Sequence, residues 1–316
     1  MADKVYVLTP VYNGAEFLRQ AMDSVQSQTW PDLVHLVIDN ASTDGTADIL
    51  SDYEDARVPV IVVRNDTLLP QIDNWNKAVE ELPQDADWFR ILCADDTMTP
   101  DFIEKSVKLG TRDGSIGIVA CKVDMGIEIH HSDWPQDQSV FEGREALRRF
   151  LTHNGNVIAP HVMYRRETIP ASGPFFDSSV IGFDTDAVLR TYCDWKLGFV
   201  HEVLAMNRLH EESVSSTKIA PKRLHLFDWY HFLHRYGAAG LGPTESQTML
   251  KRFRRHYLWR LLRVSMQDKS VTVFREHARR LKALDASPTL TDLADVLSNR
   301  ILEQVGARPR WVSYPW

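Results

Sequence analysis

The sequence predicts an α/β fold, in which a mostly parallel sheet carries helices on both faces and a helical region follows. Strand and helix patterns alternate over residues 4–93, and after residue 218 the patterns are helical. Alternation of this kind builds a parallel sheet, because each helix returns the chain across one face of the sheet. Acidic and amide side chains also recur where the predicted strands end, which is the side on which such sheets bind ligands.

Four early strands and the three helices between them follow from composition and spacing. Runs rich in β-branched and aromatic residues predict strands at residues 4–9, 33–39, 58–63 and 88–93. Apolar residues at helical spacing predict helices at residues 14–28, 46–53 and 72–82.

The middle of the chain is mixed and its end is helical. Strands are predicted at residues 116–123, 157–164 and 199–206, with helices at 144–153 and 183–192. Four further helices are predicted at residues 221–236, 245–266, 271–284 and 290–305. The pattern changes in a serine-rich stretch, so we expect an α/β domain over residues 1–217 and a helical region over residues 218–316.

The net charge of −7 is unevenly distributed along the chain. Residues 1–217 hold 18 Lys and Arg against 35 Asp and Glu, whereas residues 218–282 hold 15 against 4. An acidic front and a basic rear indicate two functional regions. An acidic region that handles phosphate groups needs a cation to make the electrostatics favourable.

Composition narrows the class of protein. Hydrophobic residues make up 44% of the chain and charged residues 25%, which is typical of a globular domain. We find no apolar run of about 18 residues, as a spanning helix would need, and no signal peptide. The odd set of Cys93, Cys121 and Cys193 is typical of reduced thiols. We therefore expect a cytoplasmic protein.

Acids at the strand ends suggest nucleotide diphosphate chemistry. Asp39 and Asp44 follow the second predicted strand, and Asp95 and Asp96 follow the fourth. Each alone is typical of a turn or a helix cap, but successive strand ends with such groups favour a shared site. Adjacent carboxylates repel unless a cation such as Mg²⁺ or Mn²⁺ lies beside them. That cation would also stabilise a departing diphosphate.

Three motifs resemble glycosyltransferase family 2, the large inverting group with the GT-A fold. They are Thr9-Pro10-Val11-Tyr12-Asn13, then Asp39-Asn40-Ala41-Ser42-Thr43-Asp44-Gly45-Thr46, then Ala94-Asp95-Asp96. The match is specific over residues 4–110 and weaker to residue 217, and residues 221–316 lie outside it. The resemblance implies metal-assisted transfer of a sugar from a nucleotide diphosphate, most simply a UDP-sugar, to an acceptor hydroxyl.

The resemblance also implies roles for the first two motifs. Pro10, Tyr12 and Asn13 would shape the pocket around the base and ribose. Asp39 would accept hydrogen bonds from the edge of the base, and Asp44 would hold the nucleotide-binding turn.

The third motif departs from the family pattern. Asp95 matches the final acid of the family's DxD metal motif, and Asp96 would contact the metal or the sugar. Cys93 stands where the first acid is usual. His210, in an Arg-x-His element, is a further candidate metal ligand or phosphate contact, although a lone histidine near a strand end is often structural.

The catalytic base is expected at the start of a helix. The run from Ser172 to Asp177, followed by Phe183 and Asp184, resembles the family's catalytic segment, which makes Asp184 the base and Asp186 the alternative. A carboxylate there can take the proton of an attacking hydroxyl. Both acids could instead serve only to begin the helix.

Five other residues are weaker candidates for the acceptor side. His161 and Arg165 fall where that side would lie. Tryptophans could stack on sugar rings, at Trp75, Trp134 and Trp195, although Trp75 lies on an apolar helical face typical of the core.

The basic stretch over residues 251–263 alternates cations with aromatic side chains. It could contact an anionic membrane surface, which for this protein would be the inner membrane. The favoured interpretation is a packed helix whose arginines pair with the acidic front domain, and homo-oligomerisation through these helices is also open. No nucleic-acid fold accompanies the stretch, so we expect no nucleic-acid partner.

Two other functions remain open from the residues. Cys93 in the metal motif would suit a non-catalytic nucleotide-sugar sensor or a partner subunit. A nucleotidyltransferase is less favoured, because the glycine-rich phosphate loop is missing, and kinase and dehydrogenase loops are missing too. The acceptor, whether a sugar, a glycolipid or a small molecule, and a role in polysaccharide biosynthesis are not specified by these motifs.

Overall fold

The computed structural model describes residues 2–130, 133–153, 155–208, 219 and 221–304, with side chains described as far as residue 298. By its internal contacts the chain divides into two compact units, Met1–His210 and Glu211–Trp316. The expected boundary between residues 217 and 218 lies outside the described residues.

The first unit is built on a central, mostly parallel sheet. Its strands are β1 Val5–Val11, β2 Leu33–Asp39, β3 Val60–Arg64, β4 Trp88–Ile91, β5 Thr97–Met98, β6 Ile116–Asp124, β7 Ile129–His130, β8 Val140–Phe141, β9 Met163–Arg165 and β10 Lys196–Met206. They are ordered β3-β2-β1-β4-β9-β6-β10-β5, with β7 beside β6 and β8 beside β10. Strands β1 to β4 are mutually parallel, so their carboxyl ends share one edge of the sheet.

Helices cover this sheet. They are α1 Leu18–Gln26, α2 Thr46–Ser51, α3 Gln71–Glu80, α4 Phe102–Gly110, α5 Gly143–Leu151 and α6 Phe183–Asp194. The central strand β1 is buried along its whole length, as expected of a strand covered on both faces. Helix α1 buries the expected apolar face, which includes Leu18, Ala21, Met22 and Val25.

Most predicted elements are confirmed, but helix α4 and the short strands β5, β7 and β8 were not predicted. The strand expected over residues 157–164 is wrong, because a 3₁₀ turn occupies Ala159–His161 and only Met163–Arg165 pairs as a strand. Pro160 explains the difference, since it has no N–H to donate to a sheet.

The second unit is helical. Its helices are α7 His225–Leu241, α8 Pro243–Gln267, α9 Thr272–Ala283 and α10 Leu290–Gln304. Gly237 lets α7 approach α8 closely, because a Cβ at this position would lie 2.2 Å from the Ser246 hydroxyl oxygen. In the buried interior, the Tyr257 hydroxyl lies 2.6 Å from Nδ1 of His277. Within the described chain, no helix has the length and apolar character needed to cross a membrane.

Part of the basic stretch is paired inside this helical unit. Arg254 forms an ion pair of 2.9 Å with Asp292, and Arg255 pairs with Asp295. Both acids belong to α10. The expected packed helix is therefore present, but these two arginines find their acids in the helical unit rather than in the front domain.

Candidate active site

The loops after β1 and β2 are joined by side-chain hydrogen bonds. The Asn13 N–H donates to the Ser42 hydroxyl at 2.9 Å, and the Thr43 N–H donates to the Asn13 carboxamide at 2.9 Å. Asn13 has a φ of 49°, a left-handed conformation that asparagine tolerates better than most residues. The two predicted nucleotide-binding motifs therefore form one surface.

Asp44 fastens the same two loops from its own side. Its carboxylate accepts hydrogen bonds from the Ala15 N–H and the Thr46 N–H, each at 3.0 Å. Burial raises the pKa of Asp44, but hydrogen bonds from Thr46 and Ala15 outweigh it and hold the pKa below its usual range. Asp44 thus stays ionised and holds this turn through backbone contacts.

Gly14 brings the loop after β4 into the same place. Its N–H donates to the Thr46 hydroxyl at 2.9 Å, and a Cβ on Gly14 would lie 3.5 Å from the Ala94 side chain. The same Cβ would collide with Val11 at 2.5 Å. A glycine is therefore needed where the three strand-end loops meet, a role that the sequence motifs did not assign to it.

Asp39 lies at the end of β2 and is 1% exposed. One carboxylate oxygen accepts the Ser42 N–H at 3.0 Å, and the other pairs with the Arg64 guanidinium. Arg64 ends β3 directly opposite Asp39 in the strand register, and its side chain is 50% exposed. A nucleotide base in contact with Asp39 would also contact Arg64. The sequence analysis did not single out Arg64, although it stands at a strand end.

Pro10 and Tyr12 differ in their surroundings. Pro10 is buried within β1 opposite Ile38, so it shapes the strand end from inside. Tyr12 is 47% exposed, which leaves its ring available beside the joined loops.

The loop after β4 gathers three candidate metal ligands. The Cys93 sulfur and carboxylate oxygens of Asp95 and Asp96 all lie within 4.8 Å of one another. Burial, and then the charge of Asp95, raise the pKa of Asp96 to about 7. Burial and the neighbouring acids raise the pKa of the Cys93 thiol well above its usual range. The two carboxylates fit a hard divalent cation, whereas Cys93 remains a neutral thiol.

Asp96 is held by groups from distant parts of the chain. It accepts the Arg208 N–H at 2.9 Å, and Nε2 of His161 lies 3.5 Å from its other oxygen. The far nitrogen of His161 lies 3.4 Å from the fully buried Arg90 guanidinium. Burial, and then Arg90, lower the pKa of His161 to about 3, so the ring is neutral and its Nε2–H faces Asp96.

Arg208 links this loop to α1. Its guanidinium donates to the Asp95 carbonyl at 3.1 Å, contacts Gln20 and lies 4.8 Å from the centre of the Phe17 ring. His210, the expected third metal ligand, lies outside the described residues.

Asp184 begins α6 and is partly exposed, whereas Asp186 is fully buried. Burial raises the pKa of Asp184, against a hydrogen bond of 2.6 Å from the Thr185 N–H. The charge of Asp184 also contributes to raising the Cys93 pKa. Asp184 therefore lies within electrostatic reach of Cys93 in the loop after β4.

Aromatic packing fixes the start of α6. Phe183 packs edge-on against Trp75 of α3 at 5.2 Å between ring centres. Asn76 accepts the Phe176 N–H at 2.8 Å and donates to the Phe176 carbonyl at 2.9 Å. Arg190 donates to the Phe175 carbonyl at 2.7 Å. These contacts hold the segment before Asp184 against α3 and α6.

The five weaker candidates, including the three tryptophans, are held by contacts within the first unit. His161 is 1% exposed and faces Asp96, and Arg165 donates to the carbonyls of Ile116 and Gly110. Trp75 is core, as expected, and Trp134 is also buried at 2% exposure. Trp195 packs over Gly117.

Comparisons with known proteins identify the family and the fold of this chain. The family model described as Glycosyl transferase family 2 matches residues 6–170. An uncharacterized glycosyltransferase of Rickettsia typhi is 24% identical over 239 residues, which cover 73% of this chain and 72% of the relative.

Two solved structures share the fold. TarS 1-349 of S. aureus, in complex with UDP-GlcNAc, has a TM-score of 0.65 at 15% identity, covering 99% of this chain and 95% of that chain. The mannosyltransferase PcManGT of Pyrobaculum calidifontis, in complex with GDP-Man and Mn²⁺, has a TM-score of 0.61 at 18% identity, covering 96% and 81%. The expected fold class is confirmed. Since the family model matches more than half of its residues, the chain belongs to glycosyltransferase family 2.

Proposed function

We propose that this protein is an inverting glycosyltransferase that moves a sugar from a nucleotide diphosphate to an acceptor hydroxyl. The observation that carries the proposal is the cluster after β4, where carboxylate oxygens of Asp95 and Asp96 lie within 4.8 Å of each other and of the Cys93 sulfur. The charge of Asp184 adds to the effect of burial and of these two acids on the Cys93 pKa. A cation site and a general base within one cleft are the two groups that this reaction needs.

Asp95 and Asp96 would hold Mn²⁺ or Mg²⁺. Their carboxylates are the oxygen ligands that these ions prefer, and they lie close enough together to share one ion. When bound, the ion stabilises the negative charge of the departing diphosphate. The hydrogen bond from the Arg208 N–H, with the His161 ring 3.5 Å from the other oxygen, would orient Asp96 for this role.

Asp184 would act as the base. As the acceptor oxygen bonds to the anomeric carbon, its proton passes to the Asp184 carboxylate and the bond from that carbon to the diphosphate breaks. Attack from the face opposite the diphosphate inverts the configuration. The raised pKa of Asp184 makes it a stronger base than an ordinary surface carboxylate.

The joined loops after β1 and β2 would bind the nucleoside. Beside Arg64, Asp39 would accept hydrogen bonds from the edge of the nucleotide base. Tyr12, Pro10 and Asn13 would surround the base and the ribose. Asp44 would keep the two loops together. The complexes of TarS with UDP-GlcNAc and of PcManGT with GDP-Man and Mn²⁺ support a nucleotide-sugar donor. A UDP-sugar is our first choice, with a sugar, a glycolipid or a small molecule as acceptor.

Calorimetric titration with UDP, GDP, dTDP and CDP, with and without Mn²⁺, tests the proposal. We expect one of the four to bind at least about tenfold more tightly with Mn²⁺, a difference of about 1.4 kcal/mol. The matching nucleotide sugar should then be hydrolysed slowly or transferred. Equal affinities with and without the metal for all four would contradict the metal role.

A nucleotide-sugar sensor is the second candidate, because Cys93 is a neutral thiol where the family motif has its first acid. The sensor and the enzyme make different predictions for the same titration. A sensor binds the donor without consuming it, so metal-dependent binding combined with complete inertness towards every nucleotide sugar would favour it.

A further inference from the structure

The helical unit contains a pocket lined by arginines. Arg260 and Arg263 lie one turn apart on α8, and Arg223 lies just before α7. Together with Val264 and Gln267 they line a pocket of about 200 Å³. This volume suits a small ligand or one head group of a larger molecule.

The arginines of this pocket differ from others on the same helix. Arg254 and Arg255 pair with Asp292 and Asp295. Among the side chains that the structure describes, none of the three pocket guanidiniums forms an ion pair with a carboxylate. Their charges are thus not used to hold α8 against its neighbours.

The positive charge is concentrated enough to act on a neighbouring group. His225, in the first turn of α7, has its pKa lowered by burial and then by the charges of Arg223 and Arg260. Three like charges around one pocket repel each other, and an anion in their midst removes that cost.

We propose that Arg223, Arg260 and Arg263 form a binding site for a phosphate group. The planar guanidinium presents paired N–H donors that match phosphate oxygens in a two-point contact. The Gln267 amide can add a further donor. Val264 offers one apolar contact to whatever carries the phosphate.

This site is separate in its residues from the nucleotide site. All five lining residues belong to the helical unit, whereas the acids of the sheet edge belong to the α/β unit. The proposal therefore does not depend on the proposed function. The phosphate has two chemical sources: a small soluble phosphate, or the head group of an anionic lipid.

The first test is calorimetric titration of the full chain with inorganic phosphate in metal-free buffer. Wild type is compared with Arg260→Gln/Arg263→Gln and with a control of equal charge change, Lys251→Gln/Arg252→Gln, whose side chains are exposed earlier on α8. We expect the dissociation constant to rise at least about tenfold in the pocket variant, since charge-assisted hydrogen bonds are lost. The control should stay within about twofold. Phosphate bound at the sheet edge would affect all three proteins alike.

The second arm is sedimentation with phosphatidylglycerol or phosphatidylcholine vesicles. If wild type binds phosphatidylglycerol vesicles but not phosphatidylcholine vesicles, and the pocket variant loses this binding while the control keeps it, the lipid head group is the source. Binding of inorganic phosphate alone identifies a soluble ligand. The proposal is overturned if both double variants lose affinity equally, or if wild type binds neither inorganic phosphate nor phosphatidylglycerol vesicles. Thermal unfolding of each variant checks that the fold is retained.

Discussion

The acidic α/β unit and the basic helical unit of this chain neutralise their charges in different ways. At the sheet edge, Asp95 lies beside Asp96 and contributes to raising its pKa to about 7. In the helical unit, Arg254 and Arg255 are matched by acids, while the three pocket arginines pair with no carboxylate among the residues that the structure describes. Crowding of like charges is unfavourable unless a ligand relieves it. The comparison teaches that matched pairs on this chain serve the fold and that crowded charges indicate where ligands bind.

The largest expected effect comes from the acid that begins α6. Asp184→Asn keeps the size of the side chain and removes the base, so transfer should fall about 10²- to 10⁴-fold. The dissociation constant of the donor should stay within about twofold. Initial rates and donor titration measure the two effects.

Asp186→Asn is the matched control for that prediction. Because Asp186 is fully buried, we expect its loss to affect stability more than the chemical step. A greater loss of transfer in Asp186→Asn, with the fold intact, would reverse the assignment of the base.

The next effect concerns the crowded acids. Asp95→Asn and Asp96→Asn should each weaken Mn²⁺-dependent donor binding by about tenfold or more, since each removes a ligand of the ion. Glu80→Gln, an exposed acid on α3, should leave it unchanged. If all three variants lose affinity equally, overall charge rather than a metal site governs binding.

The pH dependence of metal binding sharpens the same point. The Asp96 carboxyl, with a pKa of about 7, is mostly protonated at pH 6 and mostly ionised at pH 8, and only the ionised form binds a cation well. Mn²⁺ affinity should therefore rise about tenfold over this range, with proton release. Spin-resonance titration of free Mn²⁺ measures it, and Asp96→Asn should flatten the curve.

The smallest effect is expected for a matched pair. Asp292→Asn removes the charge that neutralises Arg254 and should lower the free energy of unfolding by about 1–3 kcal/mol. Asp295→Asn, whose partner is more exposed to water, should lower it by less than about 1 kcal/mol. Thermal unfolding compares the two. If either variant changes donor binding, the paired charges do not serve the fold alone, and the comparison between paired and crowded charges fails.

Local patterns were sufficient to predict most of the sheet and the position of Asp39 and Asp95 after its strands. Strand β2 has the predicted bounds because Leu33 to Asp39 is apolar, apart from His35, up to its final acid. Asp184 and Asp95 could be proposed as site residues because their motifs are short and contiguous. Residues 157–164 were misread because the single Pro160 outweighed their strand-like composition.

Partners far apart in sequence could not be predicted. Arg64 reaches Asp39 across a strand register, and His161 reaches Asp96 from a turn formed much later in the chain. Both contacts depend on how the strands and turns are arranged around the sheet, and composition and periodicity do not specify that arrangement. A strand-end position was a usable signal for Arg64, whereas His161 was predicted only for the acceptor side and not as a neighbour of Asp96.

The paired hydrogen bonds between Asn76 and Phe176 span 100 residues, and they bear on the order in which the protein is made. A chain still being synthesised exposes Asn76 long before its partner leaves the ribosome. The loops after β1 and β2 are then synthesised well before the helix that carries Asp184, and that helix docks at the entropic cost of closing a long loop. The contact that fixes the segment before Asp184 can therefore form only late in synthesis.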